Sequence, residues 1–382
     1  MKLHIAKEGK PRIKNPLFRY QFSLMLVLSM IRSSRTFLCT SKNIARQPAA
    51  RCISSACGFL QSNTGFSFTR DASVRPVSPA QLHTISTPSF VPTRSLGSTT
   101  NGNNGETAYG KGMDQNDMME TDMLVVVDKN DMPITSIPTN SFSKKRAHMF
   151  SHETPRGIVH RAFSVFLFNE RNELLLTRRA DSKITFPGVW TNTCCSHPLH
   201  GMTPSEVDND FPTFPGIKHA ARRKLYHELG IRSKYVPHEN FNFLSRFHYW
   251  AADTVTYGPE APWGEHEIDY VLFIKCEGEG PPVEADPEEV SEYKYVTPDE
   301  LRDMMYNKDN GLLWSPWFIG IMERGGFQWW EDLEEALKPG SKYCNEDITY
   351  FDPPEEHKGV YNAEEHGRDT GVLSNEDAAV LN

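Results

Sequence analysis

Pro215-Gly-Ile-Lys-His-Ala-Ala-Arg-Arg-Lys-Leu-Tyr-His-Glu-Leu-Gly-Ile231 is the stretch from which the fold is read. Ile217, Ala221, Leu225 and Leu229 recur every four residues, which predicts a helix with one packed face. Gly230 supplies its C-terminal stop. Lys224 and Glu228 stand four apart and project together near the C-terminal half. As a bare pair they read as a surface salt bridge. Glu228 also fits a carboxylate for hydrated Mg²⁺, which takes one or two carboxylates plus substrate phosphate oxygens.

Strands flank this helix. His160-Arg-Ala-Phe-Ser-Val-Phe-Leu-Phe168 is apolar on both faces, as the central strand of a sheet is. The turn Asn169-Glu-Arg-Asn172 returns the chain as a hairpin over residues 173–179. Residues 265–274 alternate: Glu265, Glu267, Asp269, Val271 and Phe273 share one face, and His266, Ile268, Tyr270, Leu272 and Ile274 the other. Thr121-Asp-Met-Leu-Val-Val-Val-Asp128 reads as a further buried strand before the turn Lys129-Asn-Asp-Met132. Thr297-Pro-Asp-Glu300 is a capping box with proline at the first helical position, and Ser315-Pro316-Trp317 starts another helix in the same way. The class is therefore α+β, a sheet flanked by helices, in one catalytic domain over residues 113–345.

What lies outside that domain differs in charge. Of 41 basic and 49 acidic residues, 14 and two fall within the first 105 positions, leaving the remainder about 20 charges negative. The extension 1–112 is Ser- and Arg-rich, as in Ile31-Arg-Ser-Ser-Arg-Thr-Phe37, and fits an organelle transit peptide. Its apolar run Phe22–Ile31 is too short to span a bilayer. The expected address is a plastid or mitochondrion, or the cytoplasm if the extension carries no targeting function. Residues 346–382 are acidic and aperiodic, and disorder is expected there. Seven cysteines, with Cys194 and Cys195 adjacent, do not make a disulfide framework. The acidic domain excludes nucleic acid as a partner, because no basic stripe is available to neutralise phosphates.

Phe186-Pro-Gly-Val-Trp-Thr-Asn-Thr-Cys-Cys-Ser-His-Pro198 carries chemistry. Cys195 and His197 face the same way in an extended segment, and Cys194 points oppositely. A thiol beside an imidazole is a metal-ligand pair, a nucleophile with its base, or a buried cysteine beside a structural histidine. Glu265 and Glu267 repel each other in a pocket unless one is protonated or a cation lies between them. On an exposed strand face they would need neither.

Together these segments resemble the type I isopentenyl-diphosphate isomerase family, whose fold is of the Nudix type, a mixed sheet sandwiched between helices. The resemblance runs from about Met123 to Trp330 and rests on residues 160–168, Ile184-Thr-Phe-Pro-Gly188, Thr191-Asn-Thr-Cys-Cys-Ser-His-Pro198, Trp263-Gly-Glu-His-Glu-Ile-Asp-Tyr270 and Pro316-Trp-Phe318. Residues 223–231 resemble the end of the Nudix signature, with Lys224 and His227 replacing two acids that hold hydrolytic metals. That departure argues against diphosphate cleavage.

The resemblance implies an isomerase interconverting isopentenyl and dimethylallyl diphosphate, a monomer whose partner is this small substrate. It implies one metal, Mn²⁺, Mg²⁺ or Zn²⁺, on His148, His160, His197, Glu265 and Glu267, with His152 competing for the place of His148. It implies Glu228 as the carboxylate for diphosphate-bound Mg²⁺, and Lys144, Arg179, Lys183 and Lys224 as cations for the diphosphate. Cys195 sits on one face of the substrate and Glu267 with Tyr249 on the other, while Trp190 and Trp317 shield a carbocation-like intermediate. The rival readings are a Nudix hydrolase and a non-catalytic metal-binding interaction module.

Overall fold

In a computed structural model, the structure describes residues 109–139, 142–362, 367 and 369–376. The targeting reading of the extension falls on residues outside this set. In chain order the elements that matter are α1 (Gln115–Thr121), α2 (Lys144–His148), β1 (His160–Phe168), β2 (Leu174–Arg179), β3 (Trp190–Thr191) and β4 (Cys194–Ser196). They continue with α3 (Pro215–Leu229), β5 (Asn242–Ala252), α4 (Thr254–Tyr257), β6 (Gly264–Lys275), β7 (Val290–Val296), α5 (Pro298–Tyr306), α6 (Pro316–Ile321) and β8 (Ile348–Phe351).

The strands form one mixed sheet ordered β3-β2-β1-β6-β5-β8, with β4 pairing β1 and β7 pairing β2. β1 is buried at every position because it is central: β6 runs parallel along one edge, while β2 and β4 pair antiparallel with it. The alternation of β6 divides two cores. Val271 and Phe273 pack with Phe247, Trp317 and Phe318 on one face. Ile268, Tyr270, Leu272 and Ile274 pack on the other against Ile217, Ala221, Leu225 and Leu229 of α3. Gly230 ends α3 at φ 64°, the left-handed conformation that a glycine adopts without strain. This is the Nudix-type layering expected, a mixed sheet between helices.

Three expectations need correction. Residues 121–128 do not form a sheet strand. α1 takes Thr121, and Leu124–Val127 are buried but joined only by isolated bridges to Leu199, His160 and Pro133, because their neighbours are loop segments or a strand's first residue. Ser315 precedes α6 without capping it, since its hydroxyl is engaged by Thr191 Oγ1 at 2.9 Å.

The third concerns the acidic tail, which is not disordered throughout. β8 lies parallel to β5, from Arg246↔Ile348 to Tyr249↔Phe351, and satisfies that sheet edge. Phe351 is buried, stacking on Tyr249 at 5.4 Å between ring centroids. Farther on, the Gly371 carbonyl accepts from Val159 N–H, and the Asn375 side chain accepts from the amides of Thr135 and Ser136. The ordered unit therefore runs past residue 345.

Candidate active site

Strand register lays out the centre of the site. His160 on β1 pairs with Glu267 on β6, and Glu267 pairs with Tyr249 on β5, so three neighbouring strands set these residues in a row. Glu265 lies two residues earlier on the same face of β6. Ser143 caps α2 through the Arg146 amide, and that single turn carries Lys144 at its start and His148 at its end. β4, an extended segment, brings Cys195 to the site and leads to His197 just beyond. Cys194 faces the opposite core, as expected from the alternation.

The imidazoles of His148, His160 and His197 converge, with ring centroids 4.9–5.1 Å apart. One ligand atom from each, together with one from Glu265, lies within 4.8 Å of the others. His148 Nδ1 is 3.0 Å from Glu265 Oε2, and Glu267 Oε1 is 2.8 Å from His197 Nε2 and 3.7 Å from His160 Nε2. His148 Nε2 and His160 Nε2 are buried without a hydrogen-bond partner, and His148 Nδ1 and Glu265 Oε2 have only each other. Buried polar atoms in such numbers need a partner, and this donor set of three imidazoles and two carboxylates fits a divalent cation. His160 Nδ1 lies 2.8 Å from the Ile158 carbonyl, a contact that orients its Nε2 inward. Burial holds His148 and His197 below the usual imidazole range, in the neutral form a metal needs. His152, the competing candidate, is exposed and packs its ring on Tyr361.

Next to this cluster lies a cavity lined by Lys144, Arg179, Lys183, Thr185, Cys195, Ser196, His197, Lys224, Glu228, Tyr249, Glu265, Glu267 and Trp317. The phenol of Tyr249 donates to Glu267 Oε2. Burial, then the Glu267 charge, pushes Tyr249 well above its ordinary value. Burial also pushes the Cys195 thiol up to about 12, so it carries its proton. Thr191 Oγ1 lies 3.8 Å from Cys195 Sγ and accepts from the Trp317 indole N–H at 3.0 Å, tying thiol and ring together. Lys224 and Glu228 do form the i,i+4 ion pair, at 3.1 Å, but it is buried in the cavity wall rather than on the surface. Trp190 is not brought in. It bridges to Trp314 within the apolar core and does not line the cavity, so Trp317 is the indole that does.

Two functional partners were missed by the sequence reading. Thr185 donates to Glu265 Oε1 at 2.8 Å while its carbonyl accepts from Arg179 at 2.7 Å, linking the carboxylate end of the site to its cationic end. Glu289 contacts Lys183 from behind. Thr185 stood inside a quoted motif, but nothing in its spacing signalled a partner 80 residues away.

Comparisons with known proteins bear on the family of the chain. The NUDIX domain profile matches residues 159–314. An isopentenyl-diphosphate delta-isomerase of Schizosaccharomyces pombe is 46% identical over 218 residues, covering 57% of this chain and 87% of the relative. One from Gibberella zeae is 45% identical, covering 59% and 81%. The chloroplastic isopentenyl-diphosphate delta-isomerase II of Arabidopsis thaliana is 40% identical, covering 59% and 75%. With that identity sustained across most of each relative, the chain belongs to the isopentenyl-diphosphate delta-isomerase family.

Proposed function

We propose that this chain interconverts isopentenyl and dimethylallyl diphosphate through a proton added at one carbon and a proton removed two carbons along. The observation that carries the mechanism is that Cys195 and the Tyr249–Glu267 pair line one cavity whose wall also carries four cations, Lys144, Arg179, Lys183 and Lys224. Lys144, Arg179, Lys183 and Lys224 bind the diphosphate, and Arg179 also sits 5.6 Å over the Trp317 ring. The five-carbon chain then lies between Cys195 and Glu267.

An unactivated alkene is a very weak base, so a well-placed acid and a dry pocket are both required. Cys195 and the Tyr249-bonded Glu267 share the two proton transfers, and one of them delivers a proton to the terminal carbon. The electron pair of the double bond forms the new C–H bond, leaving positive charge on the tertiary carbon. The other takes the proton from the carbon two along, and that C–H pair becomes the new double bond. No atom of the diphosphate leaves. Trp317 presents its ring to the developing cation, an interaction worth about 0.5–2 kcal/mol.

His148, His160, His197, Glu265 and Glu267 would hold Mn²⁺, Mg²⁺ or Zn²⁺, and Glu228 the diphosphate's Mg²⁺; such ions would supply fixed positive charge beside Glu267 and the phosphates. Lys224 keeps the charge but lacks the bidentate geometry of an arginine. One chain supplies every residue named, in keeping with a monomer. The extension is an organelle-targeting segment, and the chloroplastic relative supports a plastid.

Steady-state isomerisation by three purified variants tests the assignment. Cys195→Ala and Glu267→Gln each lose roughly a hundred- to ten-thousand-fold in rate, as loss of an acid–base group does. Cys194→Ala, whose thiol packs in the other core and reaches the site only through Glu228, keeps most of it. An active Cys195→Ala protein sinks the proposal.

A further inference from the structure

Glu289 closes the loop before β7, and its side chain is 2% exposed. Oε2 lies 2.5 Å from Lys183 Nζ, while Oε1 lies 3.8 Å from Lys224 Nζ and 3.7 Å from His227 Nδ1. Gln115 of α1 donates to Oε1 at 3.2 Å. The backbone is fixed too: Glu289 N–H donates to the Asp286 carbonyl, and its own carbonyl accepts from Ala180 N–H at the root of the Lys183 loop. Lys183 and Lys224 line the cavity, but Glu289 does not. It stands behind them, in a wall shared with a neighbouring cleft that Tyr109, His227 and Glu284 also border.

Two buried ammonium groups facing one cavity repel each other, and each is costly to bury unpaired. Their four-carbon stems are flexible, so repulsion alone would swing them apart or turn one away. A carboxylate behind both opposes that. Lys224 has a second partner in Glu228, whereas Glu289 is the carboxylate paired with Lys183 among the described residues.

We propose that Glu289 is a positioning residue for the substrate: it holds Lys183 and Lys224 in the arrangement that receives the diphosphate. This rests on the isomerase reading given above. Charge counting alone makes the opposite forecast, because removing an anion near the cavity strengthens its attraction for a diphosphate. Position and charge therefore predict opposite signs for the same substitution.

Glu289→Gln keeps the shape and removes the charge. KM for isopentenyl diphosphate and the inhibition constant of inorganic diphosphate are expected to rise together by about tenfold or more. Over the same comparison kcat stays within about threefold, because the lost interaction is made in ground and transition states alike. Glu289→Asp recovers part of the loss, and Glu289→Gln costs less in a Lys183→Met background than in the wild type, what remains being its hold on Lys224. Unchanged or lower constants, or a fall confined to kcat, overturn the proposal. So does failure of both Glu289 variants to melt cooperatively, which marks a purely structural ion pair. Inactive wild-type protein that still binds inorganic diphosphate more tightly than Glu289→Gln would refute the isomerase reading and leave the positioning role intact.

Discussion

Burial pushes the Lys183 ammonium down to about 8, even with Glu289 Oε2 2.5 Å away. The neighbouring cations Arg179, Lys144 and Lys224 push it the same way, and Glu289 resists. As pH rises through that value, Lys183 becomes neutral and its attraction for a diphosphate fades. KM for isopentenyl diphosphate is therefore expected to climb between about pH 7 and 9.5, and Lys183→Met to flatten that part of the profile. Stability moves the other way. The unfolded lysine keeps its proton up to an ordinary value near about 10.4, so between there and the folded value the unfolded chain binds more protons and this residue's contribution to stability grows with pH. Steady-state kinetics across that range check the first statement, and urea unfolding at matched pH the second. A KM that stays flat in the wild type contradicts the role of Lys183.

Among the elements, β8 is the one whose removal is most informative. It pairs with four residues of β5 and sets Phe351 against Phe247 and Tyr249, the latter the phenol that donates to Glu267. Phe351→Ala is expected to destabilise the domain by about 3–5 kcal/mol in denaturant unfolding. A loss below about 1 kcal/mol, the scale of an exposed substitution, would mean that β8 is not packed as described. α3 and β6 were legible because their apolar residues repeat at 3.6 and 2 over ten or more positions, and Gly230 marks a helix end in any sequence. β8 was not, because four residues are too few for a period and acidic neighbours surround it. The metal-type cluster was legible through His197, Glu265 and Glu267, whose spacing of two already set them on common faces. His148 followed only from the family resemblance, since a single turn of helix has no periodicity to read. Thr185 and Glu289 escaped because their partners lie 80 and 106 residues away. Trp190 was misassigned for a related reason: indoles in a core and in a cavity wall look alike in sequence.

For the whole molecule, charge is divided by task. The extension is basic, and the remainder is about 20 charges negative. Such a domain attracts a diphosphate only through cations gathered in one place, as Lys144, Arg179, Lys183 and Lys224 are. No described helix is long and apolar enough to cross a membrane. Residues 1–112 fused to a fluorescent protein are expected to deliver it to an organelle, and diffuse cytoplasmic fluorescence would refute the targeting role. The central claim concerns the reaction itself. The full chain incubated with isopentenyl diphosphate and Mg²⁺ in D₂O, followed by NMR, is predicted to yield dimethylallyl diphosphate carrying deuterium with no phosphate released. Free phosphate, or isopentenyl diphosphate recovered unchanged and unlabelled, would contradict it.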